Sequence, residues 1–471
     1  MRFNNLNDWL SWQESLNPKE IDLGLDRVSR VLKQAGLSNT FDCPLITVAG
    51  TNGKGSVVAM LEAIAKAAGL KVCSYTSPHI FCYNERIKID GQPVDDKSLC
   101  EAFERIDQAR IDQARGDQVA SDTALTYFEY GTLAAIDLFF KEQPDLVILE
   151  VGLGGRLDAV NIMAADVSVV TSIAIDHVDW LGDNRELIGY EKAGIFRQGK
   201  PVICGEQDPP QSVISEAEKK HCEFILAGRD YDVISNDEEP PQSWKLKSRY
   251  GDMAGLPVPN LTGEFQKFNA ATAILALQLL QFKDGLSASL DLAQASGAAL
   301  SQIELAGRFQ KINSVPPVFV DVAHNPHAAD ALASQLKLTA TGKGQTWAIV
   351  AMLADKDVTG VLKNVSAEID NWCFASLENI PRGLPVEDLY ESLPDDFFMQ
   401  AKADISEENR HDLALNQCTM LSETVLLSAS VAQACDAVLS KTGDNDRVII
   451  FGSFYTATEA MKLKTMMKLK N

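Results

Sequence analysis

The chain has 471 residues, a formal net charge of −22, and 46% hydrophobic against 23% charged side chains, a globular composition too long for one ordinary domain and suited to two or three. That charge repels polyanions at long range, which argues against general binding to DNA, RNA or anionic membranes and leaves room for a small anionic substrate only in a local basic pocket. With 9 cysteines and no C-x-x-C pair, no leader-like start and no apolar run of about 18 residues, the expectation is a soluble cytoplasmic protein with reduced, mostly buried thiols.

Residues 6–36 read as helix, with Trp9, Leu10, Trp12 and Leu16 and then Leu23, Val28, Val31 and Leu32 at three- and four-residue spacings. Ile21-Asp22-Leu23-Gly24 interrupts them, either as a turn that lines a site or as a solvated turn with a capping aspartate. Residues 45–56 are the most informative stretch. An apolar strand stops at Gly50-Thr51-Asn52-Gly53-Lys54-Gly55-Ser56 and a helix follows. Glycines let successive N–H groups approach an anion at a helix N-terminus, Lys54 adds a point charge, and the Ser56 hydroxyl can sit near a phosphate-bound metal. The loop is a variant, because the standard one sets Gly-Lys further from the first glycine and has no glycine before the hydroxyl residue; a plain glycine-rich turn is the competing reading.

The helix of 54–68 stops before Gly69, residues 71–75 read as a strand, and Thr76-Ser77-Pro78-His79 follows at its carboxyl end. Ligands bind at that edge of a parallel sheet, so Ser77 is a candidate ligand residue, against a simple turn. Residues 95–115 and 124–142 read as helices, and 146–150 as a buried strand ending in the Glu150 carboxylate, where a nucleotide's metal would sit. Residues 167–171 repeat this grammar and lead to Asp176-His177. Residues 205–260 are less regular, with 237–241 as a polar loop tip and 244–250 as a surface strand, and residues 261–280 return to helix around Asn269.

From 306 the alternation restarts. Residues 318–322 read as a strand with Asp321 embedded in it, followed by Ala323-His324-Asn325-Pro326-His327; 346–352, 372–375 and 447–452 read as further strands, and 424–439 as helix. Strand and helix alternation predicts an α/β fold with a mostly parallel sheet in residues 1–305, a smaller α/β domain in 306–471, and a hinge at 306–312.

Taken together, Gly50-Thr51-Asn52-Gly53-Lys54-Gly55-Ser56, Ser77-Pro78-His79, Glu150-Val151-Gly152-Leu153-Gly154-Gly155-Arg156-Leu157-Asp158, Asp176-His177, Glu191-Lys192-Ala193-Gly194 and Asp321-Val322-Ala323-His324-Asn325-Pro326 resemble the folylpolyglutamate and dihydrofolate synthases, relatives of the Mur peptide ligases. The motifs run in the family's order over nearly the whole chain, although any one alone would be weak.

The resemblance implies a Mur-ligase-like α/β fold, a large P-loop-type domain and a smaller Rossmann-like one. It implies an enzyme that uses ATP to phosphorylate a carboxylate and lets the amine of L-glutamate displace the phosphate. By the same resemblance Thr51, Asn52, Gly53 and Lys54, with Gly55 and Ser56 in the loop, hold the ATP phosphates, and Asn269, Arg308 and Asp321 complete the ATP site between the domains. Ser77, Glu150 and His177 hold magnesium, two ions being expected; Lys192 is carbamylated and acts with Lys54 and His177, the bland alternative being a surface lysine in an ion pair. His324 falls on the glutamate and ATP side. Ile21, Asp22, Leu23, Thr126, Tyr127, Phe128, Glu129 and Asp158 match positions around the pteroate, with Phe128 suited to stack on a flat ring, although by spacing alone it reads as core. The implied activities are glutamate addition to dihydropteroate and to reduced folates; a monomer is the default expectation, and the net charge argues against nucleic-acid or membrane partners. A folylpolyglutamate synthase lacking the first activity, and a catalytically silent nucleotide switch, are the competing readings, and a monovalent-cation requirement stays open.

Overall fold

The computed structural model describes residues 1–17, 19, 21–111, 123–235, 243–283, 285–340, 342, 344–378, 380, 382–392, 418–422 and 424–468. The expected loop tip at 237–241 and the last residues of the expected 95–115 helix lie outside them. Two units are distinguished, Met1–Asn260 with Glu264–Ile303, and Leu261–Gly263 with Glu304–Asn471.

In the first unit the strands are β1 (Leu45–Ala49), β2 (Val72–Tyr75), β3 (Ile87–Ile89), β4 (Gln92–Pro93), β5 (Leu146–Glu150), β6 (Val167–Val170), β7 (Pro201–Cys204) and β8 (Glu223–Leu226). They form one sheet in the order β4-β3-β2-β5-β1-β6-β7-β8. From β2 to β8 neighbouring strands are parallel, and β3 and β4 add an antiparallel edge. Every residue of β1, β2, β5, β6 and β7 is buried, as expected where helices cover both faces. Register aligns Tyr75 with Leu149, Val48 with Glu150, and Ala49 with Val170, which brings the carboxyl ends of β2, β5, β1 and β6 side by side.

Helices α1 (Leu6–Leu16) and α2 (Asp26–Gln34) flank the expected break, so Ile21, Asp22 and Leu23 are loop. Then come α3 (Lys54–Ala67), α4 (Asp96–Arg110), α5 (Tyr127–Glu142), α6 (Val178–Leu181), α7 (Arg185–Ala193) and α8 (Gln211–Lys219). Helix α5 starts later than its pattern predicted because Thr126 caps it: the Thr126 hydroxyl accepts from Glu129 N at 3.3 Å, and the Glu129 carboxylate accepts from Thr126 N at 2.8 Å. Strands β9 (Tyr231–Ser235), β10 (Ser243–Ser248) and β11 (Met253–Pro257) form a separate antiparallel sheet. The expected surface strand is its middle strand, β10, and is corrected by burial: Trp244 and Leu246 point inward, and the Trp244 indole donates to Pro257 O at 2.9 Å. Alternation put two of its side chains on a covered face that a short polar stretch does not advertise. Helix α9 (Phe265–Phe282) is buried along most of its length, and α10 (Leu292–Leu300) follows.

The second unit has β12 (Gln310–Ser314), β13 (Pro317–Val320), β14 (Thr346–Val350), β15 (Asn371–Ala375), β16 (Thr419–Ser422), β17 (Val425–Ser428) and β18 (Arg447–Phe451), in the order β12-β13-β18-β14-β15-β17-β16. Its five inner strands are parallel and both edges antiparallel. Helices α11 (Pro326–Leu338), α12 (Val358–Val365), α13 (Val386–Glu391), Val431–Leu439 and Phe454–Lys468 accompany it. Residues 424–439 are not one helix: Val425–Ser428 is a fully buried strand, and the helix begins after Ser430, whose hydroxyl caps Gln433 N. A short apolar run has no polar face to mark its period, so strand and helix look alike in it. The strand expected over 318–322 ends at Val320, leaving Asp321 at its tip, and part of the expected hinge is the edge strand β12. No helix among the described residues is long and apolar enough to cross a membrane, and all nine cysteines are free thiols.

Candidate active site

Loop 50–53 leaves β1 and enters α3, and it is laced to the segment after β6. Thr51 N donates to Ser172 O at 2.7 Å, Asn52 N to Ser172 Oγ at 3.1 Å, and Thr171 Oγ1 to Asn52 O at 2.6 Å. The Thr51 hydroxyl donates to Ala174 O and accepts from Ala174 N, each at 3.0 Å. Gly50 is required by close approach, since a Cβ there would lie 1.8 Å from Thr171 Oγ1. Gly53 carries a left-handed φ of 87° and offers α3 no side-chain cap. The helix therefore presents first-turn N–H groups that have no acceptor within it, the geometry of an anion site. Lys54 Nζ curls back to Gly50 O at 3.0 Å and Thr51 O at 3.2 Å. Asn269 of α9 lies against this loop, 3.1 Å from where a Gly53 Cβ would be. Gln266 accepts from the Asn269 amide at 2.9 Å and donates to the buried Ser56 hydroxyl at 3.4 Å.

Beside this loop, the Glu150 carboxylate accepts from Ser77 N at 3.2 Å, so the ends of β5 and β2 meet. After β6, His177 adopts a left-handed φ of 53° and its N–H donates to Asp176 Oδ1 at 2.8 Å. A non-glycine residue held there marks a constrained position. Lys192, on the last turn of α7, is only 3% exposed, which removes the surface reading. Burial, aided by the nearby Lys54 charge and opposed by Asp176, pulls its amine down to about 7. The loop after β5 is pinned to the same helix: Arg156 N donates to Glu191 O at 2.8 Å and the Arg156 guanidinium to Glu191 Oε1 at 2.7 Å.

A second cluster gathers most of the expected pteroate residues. A Cβ on Gly152 would lie 2.7 Å from Phe128 Cζ and 3.3 Å from Asp158 Oδ2, so a bare glycine lets ring and carboxyl converge. The half-buried Phe128 ring lies 5.9 Å from that of Tyr75. Asp158 accepts from Leu153 N at 2.8 Å and Val160 N at 3.0 Å. Its burial nonetheless raises the carboxyl to about 7, overriding those hydrogen bonds and Lys54. Tyr127 stacks edge-on against Tyr83 at 5.5 Å, and Arg86 lies over both rings. Asp22 and Glu129 both engage Arg27, at 2.7 and 2.8 Å, whereas Ile21 and Leu23 are half-buried loop residues.

In the second unit Asp321 accepts from Phe309 N and Ala323 N, each at 2.7 Å, and burial raises its carboxyl against the pull of Arg308. Arg308 lies 5.4 Å over the Phe454 ring, and the His324 ring is 6.3 Å from the same phenyl, with its Nδ1 2.8 Å from Val322 O. Three expected residues thus converge at the tips of β13 and β18.

Residues 48–277 match the Mur ligase middle domain, and residues 307–454 the Mur ligase glutamate ligase domain. The dihydrofolate synthase/folylpolyglutamate synthase of Escherichia coli (strain K12) is 40% identical over 459 residues, 97% of this chain and 95% of that protein. The chain belongs to this family of Mur ligases. It is similar in structure to E. coli FolC in complex with DHPP and ADP, with a TM-score of 0.82 at 38% identity covering 99% of both chains. It is also similar to the bifunctional folylpolyglutamate synthase/dihydrofolate synthase from Yersinia pestis complexed with AMPPNP and Mn ion, with a TM-score of 0.79 at 37% identity covering 98% of both chains.

For a Mur ligase, an ATP-dependent enzyme, the donor set can be tested against a divalent cation. Among the described residues no group of three or more His, Cys, Asp or Glu side chains is arranged to hold a metal. Ser77, Glu150 and His177 supply one hydroxyl, one carboxylate and one imidazole. Such a set fits a hard cation that keeps waters and draws further oxygens from phosphates, rather than one caged by protein alone. Four residues outside the motifs brace these segments: Thr171 and Ser172 hold the 50–53 loop, Gln266 links Asn269 to Ser56, and Arg27 joins Asp22 to Glu129. Thr171 and Ser172 followed a strand at the ligand edge and were legible in principle; Gln266 and Arg27 carried no local signal.

Proposed function

We propose that this ligase joins L-glutamate to dihydropteroate, giving dihydrofolate, and to reduced folates, lengthening their glutamate chain, with ATP split to ADP and phosphate. The observation that carries the proposal is the family likeness over 97% of the chain combined with loops 50–56, 76–79, 150–158 and 171–177 meeting at four adjacent strand ends. A substrate carboxylate oxygen attacks the γ-phosphorus and ADP departs. The glutamate amine then attacks the acyl carbon, phosphate leaves with the former carboxylate oxygen, and the amine loses a proton. The acyl phosphate is needed because a carboxylate has no competent leaving group, and the site must exclude water from it.

In this reading the loop N–H groups and Lys54 hold the phosphates, with Asn269, Arg308 and Asp321 toward the rest of ATP and His324 on the glutamate side. Ser77, Glu150 and His177 hold magnesium, which supplies charge neutralisation on the phosphates. Lys192 is the carbamylated lysine: its burial and lowered proton affinity favour the neutral amine that captures carbon dioxide. Phe128 and Asp158 read the pterin, with Ile21, Leu23, Thr126 and Tyr127 around it. The working domain division is 1–305 and 306–471, and the enzyme acts as a cytoplasmic monomer. Purified protein supplied with ATP, magnesium and L-glutamate should convert both dihydropteroate and tetrahydrofolate. Turnover of tetrahydrofolate alone would leave a folylpolyglutamate synthase, and turnover of neither would overturn the proposal.

A further inference from the structure

Arg27, in the first turn of α2, is not among the residues picked out by motif. Its Nε donates to Glu129 Oε2 at 2.8 Å, its Nη1 pairs with Asp22 Oδ2 at 2.7 Å, and its Nη2 donates to Asp22 O. One planar fork therefore grips both the carboxylate and the backbone of the 21–23 turn and, on its other edge, the capping box that starts α5. Glu129 and Arg27 side chains are 5% and 22% exposed, so the pair is shielded from solvent screening. The same Glu129 oxygen accepts Thr126 N at 2.8 Å, which ties the N-terminus of the helix that carries Phe128. The 21–23 turn lies in neither helix nor sheet, so little else of regular structure sets its place.

We infer that Arg27 is a positioning residue for the pteroate substrate, holding the Asp22 turn and the Phe128 end of α5 in one fixed relation. The inference rests on the ligase reading. In this arrangement Asp22 and Glu129 act on the substrate only through the frame they build with Arg27. A lysine at 27 could reach one carboxylate at a time and would restore only part of the frame.

The test compares the unaltered enzyme with Arg27→Lys, Arg27→Met and the doubly altered Arg27→Met/Glu129→Gln, which leaves no unpaired buried carboxylate and so guards against misfolding. Expected for Arg27→Met is a rise of about tenfold in KM for dihydropteroate, with KM for ATP within about twofold and kcat falling less than KM rises. Arg27→Lys should fall between, and adding Asp22→Asn to Arg27→Met should cost little more than Arg27→Met alone, because the remaining partner of Asp22, Lys19 at 3.2 Å, is solvent-exposed. KM for dihydropteroate unmoved in the folded double variant would overturn the inference, as would equal rises in KM for ATP and dihydropteroate. Failure of the unaltered protein to turn over dihydropteroate is read in a separate sample and would overturn the ligase proposal itself, taking this one with it.

Discussion

Burial shifts the proton affinity of both Lys192 and Asp158. A lysine in water is almost wholly protonated near neutrality and cannot capture carbon dioxide; burial pulls the Lys192 amine down to about 7 and so favours its neutral form. Carbamate formation, and turnover with it, should decline as pH drops below about 7. Carbon-13 bicarbonate labelling followed by NMR at about pH 6 and about pH 8 measures this. Lys192→Ala should be inactive and partly rescued by a short carboxylate added to the assay. An unmodified amine in turning-over enzyme would remove the carbamate. Asp158 works in the opposite sense. Its folded value of about 7 lies above the ordinary 3.8, so between these the folded state keeps a proton that the unfolded chain has released. Stability from this group is then complete below about pH 4 and is lost as pH rises through about 7, by roughly 1.4 kcal/mol per pH unit as an upper bound. Urea midpoints of the unaltered protein and Asp158→Asn should therefore change relative to one another across that window; parallel pH profiles would show that the carboxyl is ionised throughout. Neither proton affinity was legible in the sequence, where the resemblance implied a carbamylated Lys192 and local residues left a surface lysine open.

Strand tips and loops are where the sequence was most readable. Loop 50–56 and the Glu150 tip are contiguous signals in which glycine, lysine and carboxylate follow an apolar run, so their placement needs only local geometry. The contacts that hold them are not local. Thr171 and Asn52 are 119 residues apart, and Arg27 and Glu129 are 102 apart. The Gly152 loop shows what such contacts cost to disturb. Gly152→Ala would put a methyl group within 2.9 Å of Phe128 Cζ and Cε2 and crowd Asp158. We expect KM for dihydropteroate to rise about tenfold, KM for ATP to hold, and stability to drop by about 1–3 kcal/mol. Steady-state kinetics on both substrates and a thermal melt check it; an unchanged pteroate KM would separate Phe128 from substrate recognition.

Across the whole molecule, a net charge of −22 opposes the very substrates proposed here, since each added glutamate brings another carboxylate. Salt screens that repulsion beyond about 10 Å at 0.1 M. Raising ionic strength should therefore lower KM for folates bearing several glutamates relative to KM for dihydropteroate. A ratio that stays flat with salt would mean that a local basic patch outweighs the overall field. Residue order alone determined that strands and helices alternate and that a glycine turn with Lys54 and the Glu150 carboxylate fall at strand ends, because a strand, a glycine turn and a helix start are written in neighbouring residues. Only the tertiary structure decided that 425–428 is a strand, that β10 faces inward, that Arg27 clasps two segments, and how tightly Lys192 and Asp158 hold their protons. Those outcomes depend on water removed by parts of the chain far away in sequence, and desolvation is a property of the assembled surroundings rather than of any short stretch.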